Sequence, residues 1–192
     1  MIAIIQYNAG NSTSVKNAIE RLGYACLVTD NPDEIRKADK VIFPGVGEAS
    51  SAMKYLKAHE LDKLICTLKQ PLLGICLGQQ LLCSFSEEGN TPCLGIFDAA
   101  VKKFPALEII PHMGWNNLQN IKTPIFQGVS EKDDVYFVHS YYAEINAHTT
   151  SVCDYILPFS ASMQKDNFYA MQFHPEKSAG VGEVILQNFL AL

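Results

Sequence analysis

Gly74-Ile75-Cys76-Leu77-Gly78 sets a thiol between two glycines, just after the apolar pair Leu72–Leu73 and just before a helical stretch at Gln79–Ser84. A strand that turns at once into a helix pushes its central side chain into a strained, exposed position. Only small neighbours let the backbone fold that tightly. This is the nucleophile-elbow logic usually written Gly-x-Ser-x-Gly, here with Cys in place of Ser. At the start of a helix the peptide dipole favours thiolate over thiol. The Leu77 amide is among the opening N–H groups that have no partner inside the helix, so it is available to an oxyanion. Taken alone, the pentapeptide also fits a buried structural cysteine at a Gly-flanked strand end.

A nucleophilic thiol needs a base, and the base needs an orienting group. Gln172-Phe173-His174-Pro175-Glu176 offers both. Pro175 has no N–H to continue a ladder, so His174 should stand where the strand Phe168–Phe173 ends. In a parallel sheet that is the end where sites collect. Glu176, two residues on, can hold the imidazole in one tautomer. A third segment, Phe43-Pro44-Gly45-Val46-Gly47, also follows a strand. The N–H groups of Gly45, Val46 and Gly47 suit the second half of an oxyanion hole, because glycine lets the backbone approach a substrate closely. Neither a Walker lysine nor the dinucleotide spacing of glycines is present. No second His lies at ligand spacing to His174, which argues against a metal site. The residues alone therefore predict a Cys-dependent enzyme that hydrolyses a small amide, with no cofactor.

The elements that must position these groups alternate along the first half of the chain. Ile2–Tyr7, Ala25–Val28, Val41–Phe43 and Leu72–Cys76 read as buried strands. Ser14–Leu22, Ser50–Ala58 and Leu61–Leu68 read as helices with one apolar face. Strands apolar on both faces, alternating with helices, imply a mostly parallel sheet covered on both sides: an α/β fold of flavodoxin-like type. Asp98–Tyr142 is rich in β-branched and aromatic residues broken by Pro105, Pro111 and Pro124, which predicts a small antiparallel extension. Val152–Leu157 and Phe168–Phe173 return to strand character, and Val184–Leu190 closes as an amphipathic helix. With no repeat, low-complexity tract or linker, residues 1–192 are expected to form one domain.

The balance of residues narrows the partners. Hydrophobic residues make up 48% and charged residues 18%, the formal charge is −5, and no stretch concentrates Lys or Arg. Nucleic acid and anionic membranes are therefore not expected as partners, and no apolar run is long enough to span a bilayer. The first residues enter a strand pattern with no basic leader, which predicts a cytoplasmic protein. In that setting the six cysteines are expected to stay free, with all but Cys76 as buried or half-buried thiols.

Taken together and in this order, the three segments resemble the class I glutamine amidotransferases, glutaminases with a Cys-His-Glu triad, over essentially the whole chain. The resemblance implies that glutamine is the amide and that Cys76, His174 and Glu176 are the triad. It also implies that Gly45, Val46, Gly47 and Leu77 frame the oxyanion. Gln80 would contact the α-amino-acid end of the substrate, beside His139, Ser140 and Tyr141. Gln79 departs from the more usual Met and is expected to be tolerated.

Pro44–Gly47, Pro111-His112-Met113-Gly114-Trp115-Asn116, Tyr136–Tyr141 and His174–Ser178 are similar to the branch of that family serving histidine biosynthesis. This implies a heterodimer with a (βα)₈-barrel cyclase that receives the ammonia, with Trp115, Asn116 and Lys177 near the interface. It also implies a glutaminase nearly silent until the partner binds, for which a misoriented turn at Gly45–Gly47 is the expected cause. Gln6-Tyr7-Asn8-Ala9-Gly10-Asn11 replaces a more usual Asp-Tyr-Gly start and reads as packing variation or a partner contact. A paralogue feeding a surface-sugar amidination enzyme would share these site residues. A stand-alone γ-glutamyl hydrolase would work without a partner, and a flavodoxin-like binding module would need no triad.

Overall fold

Strands buried on both faces build the molecule. In the computed structural model, which describes residues 1–192, β1 (Ile2–Ile5) is buried on both faces. Ile2 and Ile4 join one core cluster, and Ala3 and Ile5 join the other. The chain continues as α1 (Ser12–Arg21), β2 (Cys26–Thr29), α2 (Pro32–Lys37), β3 (Lys40–Gly45), α3 (Ala49–Ala58), α4 (Leu61–Thr67), β4 (Leu72–Cys76) and α5 (Leu77–Leu82). Helix α1 turns Val15, Ala18 and Ile19 inward, and α4 turns Leu61, Leu64 and Ile65 inward, the helical stripe expected of a covering layer.

The second half runs β5 (Cys83–Ser86), β6 (Thr91–Pro92), β7 (Phe97–Lys103), β8 (His112–Asn117), β9 (Asp134–His139), β10 (Tyr141–Ala143), β11 (Thr149–Tyr155), β12 (Leu157–Lys165), β13 (Phe168–Met171) and α6 (Ala179–Ala191). The main sheet has seven strands in the order β11-β12-β13-β4-β3-β1-β2. Pairing is parallel from β13 to β2. It is antiparallel where β11 and β12 extend the edge.

Several boundaries differ from the sequence reading. The antiparallel extension of the main sheet is β11–β12, not Asp98–Tyr142. That stretch builds separate small sheets instead: β7 sits between β5 and β10, and β8 pairs with β9. Pro105, Pro111 and Pro124 fall between its strands and keep them as short separate ribbons rather than one continuous run. A strand drawn over Val152–Leu157 crosses a turn at Ile156, whose φ is 62°. The helix expected at Gln79–Ser84 starts two residues earlier, at Leu77, and gives way to β5 at Cys83. Helix α2 has no counterpart in the sequence reading, although Asn31 caps it by accepting from the Asp33 N–H at 2.9 Å. All six cysteines are free, but Cys66 is exposed rather than buried. It lies off the apolar stripe of α4.

Candidate active site

Cys76 closes β4 and caps α5 with φ 54° and ψ −108°. A non-glycine residue with positive φ stores of order 1–3 kcal/mol, which surrounding packing must hold. That packing comes from the next turn, because a Cβ on Gly78 would lie 1.9 Å from the Phe43 carbonyl oxygen of β3. No side chain can stand there, so the elbow seats directly on the neighbouring strand.

Parallel register sets the second group. Met171 of β13 lies beside Ile75 of β4. The two chains thus leave the sheet side by side, with Cys76 one residue and His174 three residues further on. The His174 backbone is fixed at both ends: its N–H donates to the Tyr136 carbonyl at 2.9 Å, and its carbonyl accepts from the Ser178 hydroxyl at 2.6 Å. On the ring, Nδ1 meets the Glu176 Oε1 at 2.7 Å, with both side chains fully buried. Asn11 donates to the same Oε1 at 2.6 Å. His174 Nε2 has no hydrogen-bond partner within the chain.

The charge balance favours a protonated ring. Burial pulls His174 toward the neutral form, but the Cys76 sulfur and the Glu176 carboxylate outweigh it and raise the pKa to about 10. Burial pushes Glu176 the other way, yet His174 and Asn11 hold its carboxyl below the usual range. A carboxylate, an imidazolium and a sulfur in one low-dielectric setting form an arrangement suited to nucleophilic attack.

The loop between β1 and α1 holds more than Asn11. The Tyr7 hydroxyl donates to the Pro44 carbonyl at 2.7 Å. It occupies the space a Cβ on Gly45 would fill, 2.0 Å away. The Gly10 N–H donates to the Val46 carbonyl at 3.3 Å. Since a trans peptide points its N–H opposite its carbonyl, the Gly47 N–H faces away from this loop. Gly47 itself has φ 131° with open space beside it. The six-residue start read as packing variation thus braces both the turn and the Glu176 carboxylate.

A cavity of about 290 Å³ opens beside Cys76 and Leu77, a size suited to a small molecule. Val46 and Gly47 form one wall, and Val138, His139, Ser140 and Tyr141 form another, with Gln80 and Glu88 also lining it. Gln80 Nε2 donates to the Tyr141 carbonyl at 3.0 Å and to Gln172 Oε1 at 2.9 Å, and Gln172 Nε2 reaches the Cys76 sulfur at 3.6 Å. Glu88 is the one charged side chain in the lining. It accepts from the Ala49 N–H at 2.7 Å, and burial raises its pKa.

His139 presents a wall rather than a free donor, since both ring nitrogens are engaged within the protein. Trp115 is 54% exposed and Met113 62%, with Trp115 set edge-on to Tyr136 at 5.8 Å. Lys177 is exposed. Asn116 is half-buried, and its amide turns inward to the Asp154 carbonyl at 3.2 Å.

Sequence reasoning missed Asn11, Glu88, His112, Gln172 and Ser178. Gln172 and Ser178 flank the His-Pro-Glu turn and were open to suspicion on that ground. Asn11 and Glu88 carry no local signal, because each reaches the site from a different loop.

Comparison with known proteins adds an independent line. The family model described as glutamine amidotransferase class-I matches residues 3–192. The imidazole glycerol phosphate synthase subunit HisH of Bacteroides fragilis is 54% identical over 194 residues, covering 100% of this chain and 99% of the relative. HisH 2 of Legionella pneumophila is 49% identical over 195 residues, covering 100% of this chain and 98% of the relative. Among solved structures, a putative GMP synthase protein from Thermoplasma acidophilum superposes with a TM-score of 0.77 at 20% identity, covering 100% of this chain and 92% of that one. PurLQS from Thermotoga maritima superposes at 0.74 with 16% identity, covering 99% and 97%. These two likenesses speak for the fold.

Proposed function

The chain belongs to the class I glutamine amidotransferases, and from that premise we infer that it is the glutaminase subunit of an imidazole glycerol phosphate synthase. It hydrolyses glutamine to glutamate and ammonia. The ammonia passes to a (βα)₈-barrel cyclase subunit, which makes imidazole glycerol phosphate and AICAR. The observation that carries this reading is full-length similarity to HisH subunits at 49–54% identity, together with a buried His174–Glu176 pair beside an elbow cysteine at a small cavity.

In the proposed reaction the Cys76 thiolate attacks the side-chain amide carbon of glutamine. The N–H groups of Leu77 and of the Gly45–Val46–Gly47 turn take the oxyanion. His174 gives its Nε2 proton to the departing ammonia, then accepts one from the water that cleaves the thioester. Glu176, steadied by Asn11, keeps the imidazole oriented throughout. Gln80 spends its Nε2 protons on Tyr141 and Gln172, which leaves its Oε1 to accept from the substrate's α-ammonium. Glu88, the one carboxylate in the lining, supplies the complementary anion.

Ammonia in neutral water is mostly ammonium and a poor nucleophile, so delivery demands a docked acceptor. The exposed Met113 and Trp115 of β8 offer an apolar surface to that partner, and the exposed Lys177 a cation. No helix is long and apolar enough to cross a membrane.

The test is glutamine hydrolysis by the wild type and by Cys76→Ala, each with and without the cyclase subunit. Loss of roughly a thousandfold or more in kcat is expected for the variant. Activity that survived the substitution would overturn the assignment.

A further inference from the structure

A line of hydrogen bonds runs from the outer β8–β9 ribbon to the cavity wall, and its chemistry fixes every proton along it. The Tyr141 carbonyl only accepts, so His139 Nδ1, at 2.8 Å, carries the proton and its Nε2 is a lone pair. That lone pair faces His112 Nδ1 at 3.0 Å, which therefore donates. His112 Nε2 is then an acceptor, and it meets the Asn116 Nδ2 at 3.4 Å. Asn116 is not free to turn its amide over, because its Oδ1 accepts from the Asn117 N–H at 2.9 Å and its Nδ2 also donates to the Asp154 carbonyl at 3.2 Å. Both rings are thus held as neutral Nδ1–H tautomers, the minor form of a free histidine side chain in water. Stacking holds His112 in place as well. His112 lies 4.0 Å from the Tyr155 ring at 12° and 4.8 Å from Phe137 at 22°.

The far end of this line touches the substrate cavity. A carbonyl has two lone pairs, and those of Tyr141 are shared between His139 Nδ1 and Gln80 Nε2. His112 itself is 4% exposed and takes no part in the lining.

We propose that His112 is a positioning residue for the glutamine cavity: by donating to His139 it fixes the Tyr141 carbonyl, and through it the Gln80 amide. This rests on the glutaminase reading above. Without the His112 donor, the buried His139 Nε2 loses its partner and the ring turns to find another. The Tyr141 carbonyl and Gln80 then lose their common reference. The His174–Glu176 side chains are set by their own hydrogen bond and by Asn11, and Cys76 by the β4–α5 elbow, contacts that do not include His112, so binding suffers while the chemical step does not.

Two substitutions separate this role from a purely structural one. His112→Phe keeps an aromatic ring to stack but removes the donor. His112→Asn keeps an N–H close to the Nδ1 position. With the cyclase subunit present, His112→Phe should raise the KM for glutamine roughly tenfold, the scale of one buried hydrogen bond left unmade. Its kcat should stay within about twofold, and His112→Asn should restore the KM. An unchanged KM in His112→Phe, or an equal rise in both variants, would overturn the proposal. A separate arm needs no variant and no activity: nitrogen-15 NMR of the wild type at neutral pH should show both rings as Nδ1–H tautomers. An Nε2–H or imidazolium signature for either ring would also sink the relay. Wild type that hydrolyses no glutamine would remove the functional reading instead, and the NMR result would still decide the relay.

Discussion

At the residue scale the site depends on a side chain far from it in sequence. Asn11 donates to the Glu176 carboxylate at 2.6 Å and sits at φ 81°, a conformation asparagine tolerates better than most residues. It makes no cap hydrogen bond to α1, so its amide is left to serve the His174–Glu176 pair. Asn11→Gly keeps the backbone relaxed at positive φ and deletes that donor. The expected result is a fall in kcat of about tenfold with little change in KM, since the ring is less well oriented while the cavity is untouched. Steady-state glutaminase kinetics in the presence of the cyclase subunit check this. An equal fall in kcat/KM through KM alone would place Asn11 in substrate binding instead. The motif Gly74–Gly78 and the His-Pro-Glu turn were legible because each packs its chemistry into five residues or fewer. Asn11 was not, since nothing in its own neighbourhood points to residue 176.

At the element scale two glycines near the thiol play opposite parts. Gly78 is excluded from every alternative by the Phe43 carbonyl, 1.9 Å from where a Cβ would stand. Neither backbone segment can yield, because β3 is paired with β4 in the sheet and α5, which carries Gly78, starts directly from the end of β4. Gly78→Ala should therefore destabilise the fold by more than about 3 kcal/mol in urea unfolding. Gly47 has open space but φ 131°, so Gly47→Ala meets strain and no collision. Its stability should drop by no more than about 2 kcal/mol, while stimulation of the glutaminase by the cyclase subunit should be lost. Unaltered stimulation would remove the turn at Gly45–Gly47 as the seat of that control.

On the scale of the whole molecule, β8–β9 packs a polar pair into an aromatic core. Burial lowers His112 from 6.5 to about 4. Burial, with the nearby His112 and His174, lowers His139 from 6.5 to about 3, against the pull of the Tyr141 carbonyl. Below pH 6.5 the unfolded chain binds protons that the native rings refuse until the pH nears 4 and 3. Stability should therefore fall as the pH drops from 6.5 toward 4, by about 1.4 kcal/mol per pH unit for each histidine. His174, held at about 10, is protonated in both states below pH 6.5 and adds no slope there. Below pH 4.5 the lowered carboxyl of Glu176 adds a loss in the same direction. Urea midpoints measured from pH 7 down to pH 4.5 would reveal the slope, and a flat profile would contradict the buried neutral pair.

Local patterning determined the parallel sheet, the elbow at Cys76, the strand-end position of His174 and the glycine turn at Pro44–Gly47. In each case the physical constraint is local, a side-chain period or a crowded turn, although β13 stops at Met171, ahead of the Phe173 expected from the missing N–H of Pro175. Tertiary structure alone decided that β11–β12 extends the main sheet while Asp98–Tyr142 folds into separate small sheets. It alone brought Asn11 to Glu176 and Glu88 to the cavity, and it turned Asn116 inward toward His112. Those outcomes depend on which surfaces meet once the sheet has formed, and residues 165 positions apart leave no mark of that meeting on the sequence around either one.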